Sequence, residues 1–219
     1  MTRLNNVIFG GPSLVDAIPN DLRHLVRKMP PIKRGDLDQL ISQSSPPKVI
    51  GITDGEFMQS FSISPKEIIR AINSGMTIFG SSSIGALRAV ELEKFGMIGI
   101  GEVFSWYRDG LVEDDDEVAM TYCPETFLPT SVPLINIRIA LSQIVQDDPI
   151  TRLQASATIE KLKSTYFPNR HWHAAIRFLE EFQSPVAAIK VRKYLAESNP
   201  DAKQQDAKLL IEQVANYSQ

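Results

Sequence analysis

Three short apolar runs rich in β-branched residues, Val7–Gly10, Lys48–Thr53 and Met76–Gly80, each stop abruptly at glycine, aspartate or serine. Buried strands end this way where they open into functional loops, so all three are read as strands of one sheet. Between them lie helical stretches, Gly35–Ser45 and Ser64–Gly75, the second with Pro65 in its first turn and Gly75 as its stop. Strands that alternate with helices require right-handed crossovers and hence a parallel sheet. A further helix, Ser83–Phe95, follows the third strand almost without a linker. It carries Ile84, Leu87 and Val90 on one side and is ended by Gly96. The fold class expected is therefore α/β, a mainly parallel sheet with helices on both faces.

Farther along, Glu102–Arg108 reads as a short helix, Glu117–Tyr122 as a strand and Pro133–Gln146 as a helix with proline near its start. Beyond Pro149 the texture changes to helices alone. Trp172, Ala175, Ile176, Leu179 and Phe182 recur at helical spacing, as do Ala207, Leu210, Ile211, Val214 and Tyr217. The expected division is an α/β core over 1–149 and an all-helical C-terminal region over 150–219 that packs on the core or on a partner.

Composition removes several classes of function. No apolar stretch approaches the roughly 20 residues that span a bilayer, and the N-terminal run before Gly10-Gly11-Pro12 is too short for a secretory signal, which points to the cytoplasm and away from membranes. One cysteine, Cys123, and three histidines, His24, His171 and His173, make neither a disulfide nor a Cys/His zinc site. Cys123 reads as a small buried hydrophobe. The net charge is −3, and after Ile150 ten Lys/Arg stand against seven Asp/Glu, too slight a tilt for nucleic acid.

The segment Met76–Leu92, MTIFGSSSIGALRAVEL, is the most informative for chemistry. A strand that ends in Gly-Ser-Ser-Ser and leads into a helix points backbone N–H groups at one spot, which suits an anion or a developing oxyanion. A serine there, Ser82 or Ser83, is placed as a nucleophile is at a strand-turn-helix elbow, although G-x-S-x-G is not reproduced. The ordinary alternative is a serine that caps the helix, with Gly85 allowing close packing on the sheet. Asp54-Gly55 lies just past the second run, at the carboxyl edge where open α/β sheets gather ligands, or is a plain Asp-Gly turn. Lys66 sits in a first helical turn, where the dipole disfavours a cation; a neutral lysine serves as base for a serine, while an exposed lysine is the commoner case.

The five consecutive acids Glu113–Glu117 offer oxygen ligands to a hard cation such as magnesium, Asp114, Asp115 and Asp116 foremost, without calcium-loop spacing. Such a run is more often a solvated face or a docking surface, and no metal is expected. Arg88, Asn136 and Arg138 are polar groups in otherwise apolar helices. Arg88 can pair with Glu91, or an arginine can receive a carboxylate or thiocarboxylate. The phosphate-loop Lys-Ser/Thr ending and the Gly-x-Gly-x-x-Gly spacing are both absent, so a nucleotide binder ranks below the other readings and no cofactor is expected.

Taken in order, VIFGGPS, IGITDGEF, PKEI, GMTIFGSSSIGALRAVEL, FGMIG, YRDGLVEDDDEVA and PLINIRIAL resemble the TfuA-like family along the first 146 residues. The resemblance maps the family's elbow serine, glycine and arginine onto Ser83, Gly85 and Arg88. It maps the Asp-Gly pair onto Asp54 and Gly55, the Lys-Glu pair onto Lys66 and Glu67, and the acidic run onto Glu113–Glu117. Tyr122-Cys123 stands where the family often has histidine, and Glu56 where it has an aromatic residue.

TfuA-like proteins work beside YcaO enzymes, which activate a backbone amide so that sulfide can replace its oxygen. The resemblance thus implies YcaO, a ThiS-type sulfur carrier and the peptide substrate as partners, and hydrolysis of the carrier's C-terminal thiocarboxylate as the reaction. Ser83 would attack, Lys66 or Asp54 would handle its proton, and Gly55, Ser82, Ile84, Gly85, Arg88, Asn136 and Arg138 would bind. Water attack with Asp54 as base fits the same residues. The alternative from another class is a non-catalytic adaptor that docks on YcaO and recruits substrate or carrier.

Overall fold

In a computed structural model describing residues 6–56, 61–146, 150–182 and 185–217, the first apolar run becomes β1 (Asn6–Phe9). An edge strand, β2 (Val26–Met29), follows, and the other two runs become β3 (Val49–Ile52) and β4 (Thr77–Gly80). A two-residue strand, β5 (Ile98–Gly99), completes the sheet. The order is β2-β1-β3-β4-β5, parallel throughout. The order reverses between β1 and β3, which makes the carboxyl ends of those two strands the switch point of a doubly wound sheet.

The early helices are α1 (Asp36–Ile41), α2 (Pro65–Asn73), α3 (Ile84–Leu92) and α4 (Glu102–Arg108). Later come α5 (Leu134–Gln146), α6 (Arg152–Lys163), α7 (Trp172–Phe182), α8 (Pro185–Ser198) and α9 (Ala202–Asn216). The α-helical part of the expected Ser83–Phe95 helix stops at Leu92. A 3-10 turn, Glu93–Phe95, then runs into Gly96 at φ 98°.

The chain divides into two compact units, Met1–Glu113 with Lys203–Gln219, and Asp114–Ala202. The boundary expected at 149/150 falls inside the second unit, beside residues 147–149, which lie outside the described residues. The last helix belongs with the sheet because its apolar stripe needs a buried partner. Ala207, Leu210, Ile211 and Val214 are fully buried with Ile8, Val26, Val49 and Phe79, and Tyr217 meets Phe79 edge to face at 5.4 Å. On the other face of the sheet α3 approaches so closely that a Cβ on Gly85 would lie 1.9 Å from Ile52 O. Helices therefore cover both faces.

In the second unit, α5–α8 share a core of Leu134, Ile137, Leu141, Ile159, Leu162, Ala175, Leu179 and Val191, with Trp172 and Ile176 packed against it. The strand expected at Glu117–Tyr122 does not form. Asp115–Glu117 is a 3-10 turn, and a single bridge, Tyr122 to Pro129, stands where a ladder was expected. The side chains explain this: Glu117 is drawn to Arg138 of α5 and Asp116 to Arg170, and Pro124 and Pro129 have no N–H to donate.

Two helices of the first unit begin at glycines with no side chain to cap them. Gly35 (φ 96°) precedes α1 and Gly101 (φ 98°) precedes α4. Carboxylates from other helices satisfy the exposed amides instead. Glu67 of α2 accepts from Gly35 N and Leu37 N at 2.9 and 3.0 Å. Asp206 of α9 accepts from Glu102 N and Val103 N, both at 2.8 Å. Among the described residues no helix is long and apolar enough to cross a membrane.

Candidate functional site

Three loops leave the carboxyl ends of β1, β3 and β4, all within the first unit. Asp54, next but one after β3, is buried and gathers the loop after β1. Gly11 N–H and Ser13 N–H donate to its Oδ2 at 2.9 and 3.0 Å, and Ser13 Oγ donates to Oδ1 at 2.7 Å. The Thr53 hydroxyl lies 3.3 Å from Oδ2 and 3.0 Å from Phe9 O, with one proton for the two. Most of the acceptor capacity of Asp54 is thus spent on holding loops.

The loop after β4 is the elbow. Ser82 has φ 66°, in the left-handed region that non-glycine residues seldom enter. Its hydroxyl is fully buried, lies 3.1 Å from Ser81 Oγ and donates to Lys203 O at 2.8 Å. Ser83 follows as the N-cap residue of α3, half-buried, and its hydroxyl makes no capping bond. The capping role that is the ordinary reading of such a serine is therefore not what Ser83 Oγ does. Ser83 N–H donates to Ser81 O at 2.7 Å and Gly85 N–H to Thr53 O at 3.2 Å.

Gly55 and Ile84 meet at this elbow. A Cβ on Gly55 would lie 2.7 Å from Ile84 Cγ2 and 3.0 Å from Ile32 O, so the β3 loop needs glycine to pass the start of α3. Arg88, one turn into α3, is taken up within the protein. Its Nε donates to Ile63 O at 3.1 Å and its Nη1 to both oxygens of Glu91 at 2.6 and 2.7 Å. That bond ties the chain before α2 to α3, and α2 opens on the carboxyl side of the sheet with Lys66 exposed in its first turn.

Asn136 and Arg138 lie in the second unit. Asn136 Nδ2 donates to Asp201 Oδ1 at 2.9 Å, and Arg138 grips the buried Glu117 through Nε and Nη2 at 3.2 and 2.6 Å. The acidic run is likewise engaged at Asp116, by Arg170, and at Asp114, by Lys163 at 2.6 Å. The hydrogen bond that Lys163 donates to Asp114 is the main cause that raises the Lys163 pKa. Asp115 is exposed. Among the described residues no group of three His, Cys, Asp or Glu side chains is arranged to hold a metal ion.

Two residues of the cluster escape a local reading of the sequence. Ser13 follows the Gly-Gly-Pro turn directly after the first strand, and that placement at the same sheet edge was the available signal. Lys203 is 2% exposed at the start of α9, with Nζ 4.0 Å from Asp54 Oδ1. It precedes Ala207 by four residues and Leu210 by seven, so it lies on the buried stripe, where a lysine is out of keeping with its neighbours.

A polar cluster at the carboxyl ends of β1, β3 and β4, with a serine elbow opening a helix, marks a doubly wound α/β protein. The family model described as TfuA-like protein matches residues 54–171, more than half of the chain, and the chain belongs to that family. Membership brings an accessory role beside YcaO enzymes in thioamide formation. Ser13 and Lys203 fall outside the matched span. Comparison with curated proteins gives no match.

Proposed function

We propose that the chain supplies sulfide to a YcaO enzyme in the cytoplasm by hydrolysing a thiocarboxylated ThiS-type carrier protein. The observation that carries this reading is the elbow itself, where Ser83 keeps a half-buried hydroxyl that does not cap its helix. Ser83 Oγ attacks the thioacyl carbon of the carrier's terminal residue, and its proton is taken by Lys66, exposed in the first turn of α2, or by Asp54. The oxyanion forms beside the Ile84 amide, since those of Ser83 and Gly85 are engaged. Collapse breaks the carbon–sulfur bond, and the departing sulfur takes up the proton that came from Ser83 and leaves as hydrosulfide. Water then attacks the acyl-serine, which returns the serine hydroxyl and leaves the carrier with an ordinary carboxylate. Asp54 also anchors the β1 loop, by accepting from Gly11 N–H, Ser13 N–H and the Ser13 hydroxyl.

The test is sulfide release from the thiocarboxylated carrier by the purified protein. Wild type should release sulfide, Ser83→Ala should fall to background, and Lys66→Met should lose on the order of a hundredfold in kcat. A Ser83→Ala protein that releases sulfide at the wild-type rate overturns the nucleophile. Absence of release by wild type, with and without YcaO, while the chain still binds YcaO, would mean a non-catalytic adaptor that recruits carrier or peptide.

A further inference from the structure

The deeply buried Lys203 touches two of the three loops that make the carboxyl edge. Its side chain faces Asp54, with Nζ 4.0 Å from Oδ1, and Asp54 in turn holds Gly11 and Ser13. Its carbonyl accepts the Ser82 hydroxyl at 2.8 Å, at the residue whose left-handed φ sets up the elbow. Asp206, one turn along the same helix, caps α4, and Gln204 Nε2 donates to Val15 O at 2.9 Å just past the Ser13 turn. The first turns of α9 thus reach four separate segments of the sheet's edge from a position more than a hundred residues away in sequence. A cation placed in so dry a spot is costly unless it does something specific, and here it faces the carboxylate that organises the loops.

We infer that Lys203 is a positioning residue, which fastens the Ser13 loop through Asp54 and the serine elbow through its own carbonyl, so that the site is assembled only when α9 is docked. The inference rests on the proposed sulfide release for its kinetic readout, but has a second readout that does not depend on it. Hydrogen–deuterium exchange of Lys203→Met should show the amides of 10–14 exchanging at least about tenfold faster, with β1, β3 and the elbow 81–84, which is held by the backbone carbonyl that methionine keeps, protected as in wild type. Sulfide release should lose about tenfold in kcat with KM within about twofold. Ser82→Ala, which removes the donor to the Lys203 carbonyl, should loosen 81–84 and leave 10–14 protected. If Lys203→Met folds poorly, Lys203→Gln, which removes the charge that faces Asp54 but keeps a polar end, carries the same expectation for 10–14. Wild-type exchange of 10–14 in the Lys203 variants overturns the inference. Faster exchange in a protein whose wild type releases no sulfide supports the fastening role and overturns the reaction instead.

Discussion

Ser82 and Ser83 show how much one backbone angle decides. Three consecutive serines are chemically equivalent in sequence, and the left-handed turn at Ser82 separates them. It buries the Ser82 hydroxyl against Lys203 O and leaves the Ser83 hydroxyl half-buried and not used as a cap. The turn costs roughly 1–2 kcal/mol for a non-glycine residue and is held by its surroundings. Gly85 is the complementary case. Alanine there gains about 1 kcal/mol in helix propensity but places its Cβ 1.9 Å from the Ile52 carbonyl oxygen, which is backbone and cannot swing aside. Gly85→Ala should therefore lose roughly 1–3 kcal/mol in urea unfolding despite the better helix former. Equal or higher stability would mean that α3 does not approach the sheet as closely as described.

At the level of elements, α1 and α4 are short helices whose first amides are satisfied from afar. Glu67 was legible as part of a Lys-Glu pair, but its work is to cap α1 across from α2, which no local pattern announces. Asp206 does the same for α4, and a Cβ on Gly101 would lie 2.1 Å from its carboxylate carbon, which explains glycine at that start. Removing Asp206 leaves two amides without their acceptor. Asp206→Ala should cost about 1–3 kcal/mol, seen as a lowered melting temperature, whereas Asp206→Asn keeps an acceptor oxygen and should cost less. The strand expected at Glu117–Tyr122 failed for a related reason, since its acidic residues answer to Arg138 and Arg170 instead of to a sheet.

On the scale of the whole molecule, the chain's last helix completes the first unit. Leu210 is fully buried on the sheet's face and Leu209 beside it is 48% exposed. Leu210→Ala should lower the stability of the sheet unit by about 2–5 kcal/mol, and Leu209→Ala by within about 0.5 kcal/mol, measured by chemical denaturation. Similar effects of the two would place α9 differently from the face it covers here. The split expected at 149/150 reads a change of texture, from alternating strands and helices to helices alone, and texture reports local structure. Which unit a helix joins depends on the surface that covers its stripe, and for α9 that surface includes Ile8 and Phe79.

By itself the sequence determined the parallel α/β sheet, since β1, β3 and β4 are apolar runs long enough to read, and it determined the family, through motifs that keep their order along the first 146 residues. It pointed to the elbow serines and to Asp54, because strand ends and helix starts are local events. It was silent on β2, whose central residues Arg27 and Lys28 are exposed at an edge, and on β5, which is two residues long. Tertiary structure alone decided that Asp54 takes three donors from the β1 loop, that Ser82 is buried while Ser83 is half-buried and does not cap its helix, and that Lys203 joins them. Those facts come from contacts between segments distant in sequence, where burial and hydrogen-bond geometry assign the partners and residue type does not.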